Sequence, residues 1–321
     1  MFEFLKDSSL IEEARRAKVR PRLFGQLLIF WLVSFVVESA ATLIPSFYLT
    51  AEMIKGLPVL GDVSLEAYEA YLNEAMGPIM ASDTFLLLSL FGTVFMLILV
   101  PVYCCCIEKR PLSSLGVRGT FLPEYGKGML FGLLLMGGVF FVCYASGAVT
   151  VTAGKLNIGL ILLYLFAFLI QGAAEEILMR GYFTVSLTNS ISPAFAVFTG
   201  AAFFAALHSS NTGFGIFPFV NTFLFGLLLS FYMFKSGSIF GACALHGVFN
   251  FAEGLLFGLP VSGLTTGVSI LSSVSNGEMT LTNGGLYGPE GGCAVTLMLL
   301  VAFLLFFYFP KKKENGKTEN V

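Results

Sequence analysis

The chain is 321 residues long, 56% hydrophobic and only 12% charged, with 35 phenylalanines and a formal net charge of −2. A soluble domain carries about 25% charged residues, so the composition excludes a water-soluble globular enzyme. No basic patch with interleaved aromatics suggests nucleic acid as a partner. An integral membrane protein remains, with several apolar runs near the ~20 residues that a spanning helix needs.

Twenty-two mostly polar residues come first, with a basic cluster at Arg15, Arg16, Lys18, Arg20 and Arg22. The first apolar run, 23–49, is too long for a cleavable signal core. It carries Glu38, expected beside a water-filled cavity or a polar neighbour. A polar loop over 50–83 follows, acidic except for Lys55, with a short amphipathic helix expected over 65–75. The second span is expected over 84–106 and ends on Cys104, Cys105 and Cys106. With Cys143, Cys243 and Cys293 these make six cysteines and no disulfide framework. Ordinary apolar packing accounts for all six; acylation of the juxtamembrane three is the alternative.

A basic loop (107–127) leads to a third span over 128–149, and a short loop carries Lys155. The fourth span starts near 157 and runs to about 187. The fifth covers 194–208, behind a turn at Asn189–Pro193 that puts proline in a first helical turn. The sixth covers 216–234, the seventh 239–259. A Gly/Ser/Thr/Asn-rich loop over 260–290 precedes the eighth, 291–309, and Lys311–Lys313 follow. The chain divides into a cytoplasmic basic segment (1–22), N-terminal helices and loops (23–156), a core (157–259), and an outer loop, last helix and basic tail (260–321). The fold class is all-α: about eight transmembrane helices and no soluble catalytic domain. Of the 18 lysines and arginines only Lys55 and Lys155 fall on the outer side of this plan, so positive charge places both termini inside. Short loops and the lack of a targeting signal point to a bacterial plasma membrane.

Against this background one stretch stands out, Gln171-Gly-Ala-Ala-Glu175-Glu176-Ile-Leu-Met-Arg180. Ionisable side chains at bilayer depth are costly, rare and usually functional. The chain's only two histidines, His208 and His246, also lie in apolar segments. At a rise of 1.5 Å per residue, Glu175, His208 and His246 lie ~18, ~22 and ~12 Å from the inner boundary, in the inner-to-middle part of the membrane. One cavity could hold all three. Phe204 shares a helix face with His208, and His246 shares one with Asn250. Glu175 and Glu176 are ~100° apart on a helix, so only one faces a given site. Glu176 and Arg180 form an i,i+4 pair in the favourable order, which leaves Glu175 for the cavity. A carboxylate beside histidine in a partly dry site can activate water. His246 and Asn250 could donate to a developing oxyanion. No Gly-x-Ser-x-Gly occurs, and no aspartate lies within an expected span. Taken singly, each residue also has a structural reading: a packed histidine, an asparagine joining helices, an ion pair holding a fold.

The order Glu-Glu-x-x-x-Arg, Phe-x-x-x-His, His-x-x-x-Asn reads here as Glu175-Glu176…Arg180, Phe204…His208 and His246…Asn250. In this the chain resembles the CPBP intramembrane proteases, the CAAX-protease and bacteriocin-processing (Abi) family that includes the Ras-converting CAAX endopeptidase. The Phe225-Gly226 span leading to Ser236-Gly237-Ser238 looks like a fourth family feature. The resemblance covers about 157–255. It implies an endopeptidase acting on a membrane-associated protein or peptide. Glu175 would be the base, His208 would hold the water, and His246 and Asn250 would form the oxyanion site. Glu176, Arg180 and Phe204 would support them. No cofactor is the favoured expectation; the alternative is Zn²⁺ on Glu175, His208 and His246 with an open position for water. Two other functions compete: a non-catalytic scaffold or immunity factor with the same fold, and a proton-coupled transporter.

Overall fold

A computed structural model of the chain describes residues 3–6, 8–57 and 64–308. The acid Asp62 and the basic tail Lys311–Lys313 lie outside the described residues. Among the described residues the expected apolar runs form helices. They are α1 (Leu23–Lys55), α3 (Asp83–Glu108), α4 (Phe121–Ala145), α5 (Ile158–Leu187), α6 (Pro193–Leu207), α7 (Ile216–Ser236), α8 (Phe240–Leu256) and α9 (Cys293–Tyr308). Five of these, α1, α3, α4, α5 and α7, are long and apolar enough to cross a membrane by length and composition; α6, α8 and α9 are shorter. The protein is an all-α, multi-pass integral membrane protein.

Local chemistry accounts for most helix ends. Ser82 and Ser192 accept from the N–H of Phe85 and Phe195, and Asn157 accepts from Leu160. Each satisfies a donor that the first turn would otherwise leave bare. Helix α7 stops where Gly237 takes a left-handed conformation (φ 71°). The amphipathic segment, α2 (Leu65–Met80), is longer than expected and buries no residue.

Helix α1 runs six residues past its expected end at 49, to Lys55, and both ends of α4 differ from expectation. Helix α4 starts seven residues earlier than the expected 128, because Glu124 and Lys127 belong to its solvated first turns. It ends at Ala145, so Val149 is not helical. The next residues form β1 (Val149–Ala153), paired antiparallel with β2 (Leu271–Ser275) from the 260–290 loop.

Helix α8 occupies the middle of the bundle, packed chiefly against α4 and α5, and is buried continuously from Gly241 to Asn250. Small residues permit this. A Cβ on Gly172 of α5 would come within 2.5 Å of the Gly247 nitrogen, and one on Gly247 within 2.7 Å of the Phe168 carbonyl. With lipid outside, such close backbone approach supplies the packing that holds helices together. It also brings Glu175 and Glu176 of α5 against His246 of α8. Gly172→Leu should force the two backbones apart. We expect a loss of about 1–3 kcal/mol of stability, read as a lower melting temperature in detergent, together with loss of the site.

The loops fall into two groups. In one, β1 pairs with β2. There Asp83 accepts from Tyr164 Oη at 2.7 Å and from the Gly267 N–H at 2.9 Å. The Gly263 N–H donates to the Tyr287 carbonyl in the same group. In the other, Arg118 donates to the Gly237 carbonyl and pairs with Glu13, and the Lys18 N–H donates to the Glu108 carbonyl.

Candidate active site

Helix α5 is α-helical to Glu176 and π-helical over Ile177–Thr184. π-Turns inside α-helices are rare and frequent at functional sites. Directly before the switch stand the two glutamates, and they divide the work. Glu176 is fully buried. Its Oε1 accepts from Arg180 Nη1 at 2.8 Å and from His246 Nδ1 at 2.8 Å. Charged partners of this kind are what a buried carboxylate requires. The Arg180 guanidinium lies 4.1 Å from the Phe204 ring centroid. The same ring meets His208 edge-on at 4.7 Å and His246 at 5.9 Å. Phe204 is therefore the apolar wedge among the three cationic or ionisable partners.

Because His246 Nδ1 faces a carboxylate, that nitrogen carries a proton, and Nε2 faces Glu175. His246 Nε2 and Glu175 Oε2 are 3.8 Å apart, too far for a direct hydrogen bond. Glu175 Oε2 is buried and has no protein partner. The other oxygen, Oε1, accepts from Gln171 Nε2, and Gln171 Oε1 accepts from Asn250 Nδ2 at 3.1 Å. Asn250 thus commits one of its two amide hydrogens to the helix α5 chain, and its Oδ1 is buried without a donor.

His208 caps the end of α6, where its Nδ1 contacts the Phe204 carbonyl at 2.8 Å. That contact fixes the proton on Nδ1 and leaves Nε2 as the available nitrogen. Glu175, Phe204, His208, His246 and Asn250 all line one cavity of about 270 Å³. Arg180 and Glu176 lie behind it rather than in its wall. Among the described residues no three His, Cys, Asp or Glu side chains converge closely enough to hold a metal ion. Glu175 and His246 approach one another, but His208 does not join them as a third ligand.

Other residues of the cavity wall had been given no part in the chemistry. Gln171 opens the charged stretch and sits one helical turn before Glu175, so its hydrogen bond was readable from spacing. Glu38, exposed on α1, also lines the cavity, as its expected polar setting allows. Ser262 and Glu290 come from the 260–290 loop, and no local pattern announces them. The Ser262 N–H and hydroxyl both donate to Glu290 Oε2. Burial pushes the Glu290 carboxyl above the usual carboxylate range; the Ser262 bonds and the nearby His208 and His246 pull the other way. The cavity therefore lies against the 260–290 loop, nearer that face than the rise arithmetic suggested. Helix α6 is short and His208 stands at its end, as the expected bounds had it. Glu253, also on α8, is wholly buried outside this cavity, with neither oxygen hydrogen-bonded.

Residues 157–252 match the family model described as type II CAAX prenyl endopeptidase Rce1-like. The matched segment begins at the cap of α5 and ends within α8, so it contains every residue of the Glu175–His246 constellation. No curated protein and no solved structure matches the chain. The match supports a protease of CAAX type with a membrane-associated protein or peptide as its substrate. Over residues 157–252, the order of the motifs and this match support the CAAX-protease (CPBP) family.

Proposed function

We propose that the protein is an intramembrane endopeptidase that hydrolyses a peptide bond with water activated by Glu175. One observation carries this reading: Glu175 Oε2 is a buried, unpartnered acceptor on the cavity wall, 3.8 Å from His246 Nε2. A water between the two would be held by both. Glu175 then takes a proton from that water as its oxygen attacks the scissile carbonyl. As the carbon becomes tetrahedral, the carbonyl oxygen gains negative charge. The free amide hydrogen of Asn250 and a protonated His246 are the donors that meet it. His208, with Nε2 available, helps to hold the water. The proton on Glu175 finally passes to the leaving amine, which balances the reaction. Glu176 and Arg180 take no proton; they fix the His246 ring through Nδ1.

The grouping of loops on two faces supports eight alternating crossings with both termini inside. In this reading the 260–290 cap is outside, and α6, α8 and α9 are short spans held by their neighbours.

The test compares membrane-peptide fragments from cells carrying the wild type, Glu175→Ala or His246→Ala. We expect a set of fragments that vanishes in both variants; an unchanged set in both would overturn the reading. Metal independence has its own test. The purified protein should keep its activity under strong chelation, with no stoichiometric metal bound. Loss on chelation with rescue by zinc would replace glutamate catalysis with metal-assisted hydrolysis.

A further inference from the structure

The cavity is rich in acceptors that nothing answers. Glu175 Oε2 and Asn250 Oδ1 are buried in its wall without a donor, and Asn250 itself is only 5% exposed. Glu290 uses one carboxylate oxygen, Oε2, to accept from Ser262, and its Oε1 has no protein partner. Glu38 adds a third carboxylate at the α1 side. No lysine or arginine lines the cavity among the described residues; the nearest guanidinium, Arg180, is committed to Glu176. Three carboxylates and two histidines thus surround a space that has room for a side chain.

Glu290 is also held more firmly than the loop around it requires. Its backbone carbonyl accepts from Asn221 Nδ2 at 2.7 Å, and the same amide nitrogen reaches the Gly292 carbonyl at 2.9 Å. Asn221 Oδ1 in turn accepts from Thr296 Oγ1 at 2.6 Å. Helices α7 and α9 therefore both brace the residue. A carboxylate pinned through one oxygen, with the other presented to a cavity, is prepared for a charge-assisted donor. Glu175 and Asn250 have a use in the reaction above; Glu290 has none there.

We propose that Glu290 is the specificity carboxylate of the cavity: it takes the lysine or arginine side chain of a substrate residue close to the scissile bond. The proposal rests on the protease reading of the same cavity and names the substrate class for it. The preferred substrate is therefore a membrane-associated peptide with a basic residue beside the cut.

The experiment uses the full-length protein in nanodiscs and a synthetic library of unmodified peptides of mixed sequence, with cleavage sites read by mass spectrometry. Wild type should show lysine and arginine enriched at one position beside the cut. Glu290→Gln should lose roughly tenfold in kcat/KM for a lysine peptide, the scale of one charge-assisted hydrogen bond. Its kcat/KM for the matched norleucine peptide should fall by far less, so that the preference for lysine over norleucine is lost. Glu290→Lys should shift the enrichment to aspartate and glutamate at that position. A wild type without basic enrichment, or a Glu290→Gln variant that keeps it, overturns the proposal.

Binding separates this from failure of the protease reading. The lysine and norleucine peptides are titrated onto Glu175→Gln and onto Glu175→Gln/Glu290→Gln. A lysine preference present in the first and absent in the second upholds the subsite even if wild type cuts nothing, in which case only the protease reading falls. Equal binding of the two peptides to Glu175→Gln sinks the subsite even if cleavage is observed.

Discussion

Glu175→Gln should abolish proteolysis while the protein stays folded. The exchange keeps the side chain's shape and can keep the hydrogen bond with Gln171, since an amide can accept through its oxygen. What it removes is the basicity at Oε2, the one atom of the pair that faces the cavity unpartnered. A positioned general base contributes about 10²–10⁴ in rate, and a second loss follows because an amide nitrogen cannot hold the attacking water as an acceptor. We expect at least a thousandfold fall in kcat, with KM for a bound peptide little changed and the melting temperature within a degree or two of wild type. Equal turnover of wild type and Glu175→Gln would move the chemistry away from this residue altogether. His246→Ala should also fall steeply, though by a different route: it leaves Glu176 short of one donor and removes a donor to the oxyanion.

The positions of the spans were legible because composition alone forces them. Each apolar run has to be a helix once lipid surrounds it, since no other local structure satisfies its backbone. The charged stretch at Glu175–Arg180 was legible for the same reason in reverse: its cost in lipid demands an explanation. Helical phase then separated Glu175 from Glu176, and the Glu176–Arg180 bond has the predicted partners. It did not show that His246 would bind Glu176 through Nδ1 and turn only Nε2 towards Glu175. That depends on how closely α5 and α8 approach, set by Gly172 and Gly247 across two helices.

The β-ribbon was hidden for another reason. Val149-Thr-Val-Thr-Ala alternates as a strand should, but only Ser146-Gly147 separates it from the apolar run before it. Its partner, Leu271-Ser-Ser-Val-Ser, lies in a loop whose composition reads as irregular. Ser262 and Glu290 are 28 residues apart and meet only once that loop has folded over the cavity. No periodic signal carries such a pairing. Gln171 differs, since its i,i+4 relation to Glu175 was available from spacing and simply had no role until Asn250 supplied the third member.

Arg180→Met should be the most destabilising single change near the site. It strands Glu176, a carboxylate with no exposed surface, with His246 as its only remaining donor. Breaking a buried ion pair from one side costs about 3–5 kcal/mol. The lost cation–π contact with Phe204 adds about 1–2 kcal/mol for a desolvated pair. Such a loss should appear as poor yield or a melting temperature lowered by many degrees in detergent. Glu176→Gln leaves the opposite orphan, a buried guanidinium, and should also destabilise.

The double variant Glu176→Gln/Arg180→Met separates stability from function. With neither charge left behind, it should recover much of the stability that each single change loses, because removing both members of a buried pair is often near neutral. Activity should not recover with it. A glutamine at 176 can still accept from His246 Nδ1, but without the charge that strengthens the bond and holds the ring. The expected result is a folded protein with low kcat and near-normal peptide binding. A double variant with full activity would show that the pair holds the helices together and leaves His246 to Glu175 alone. One as unstable as Arg180→Met would show that the cost lies in Phe204 packing rather than in the stranded charge.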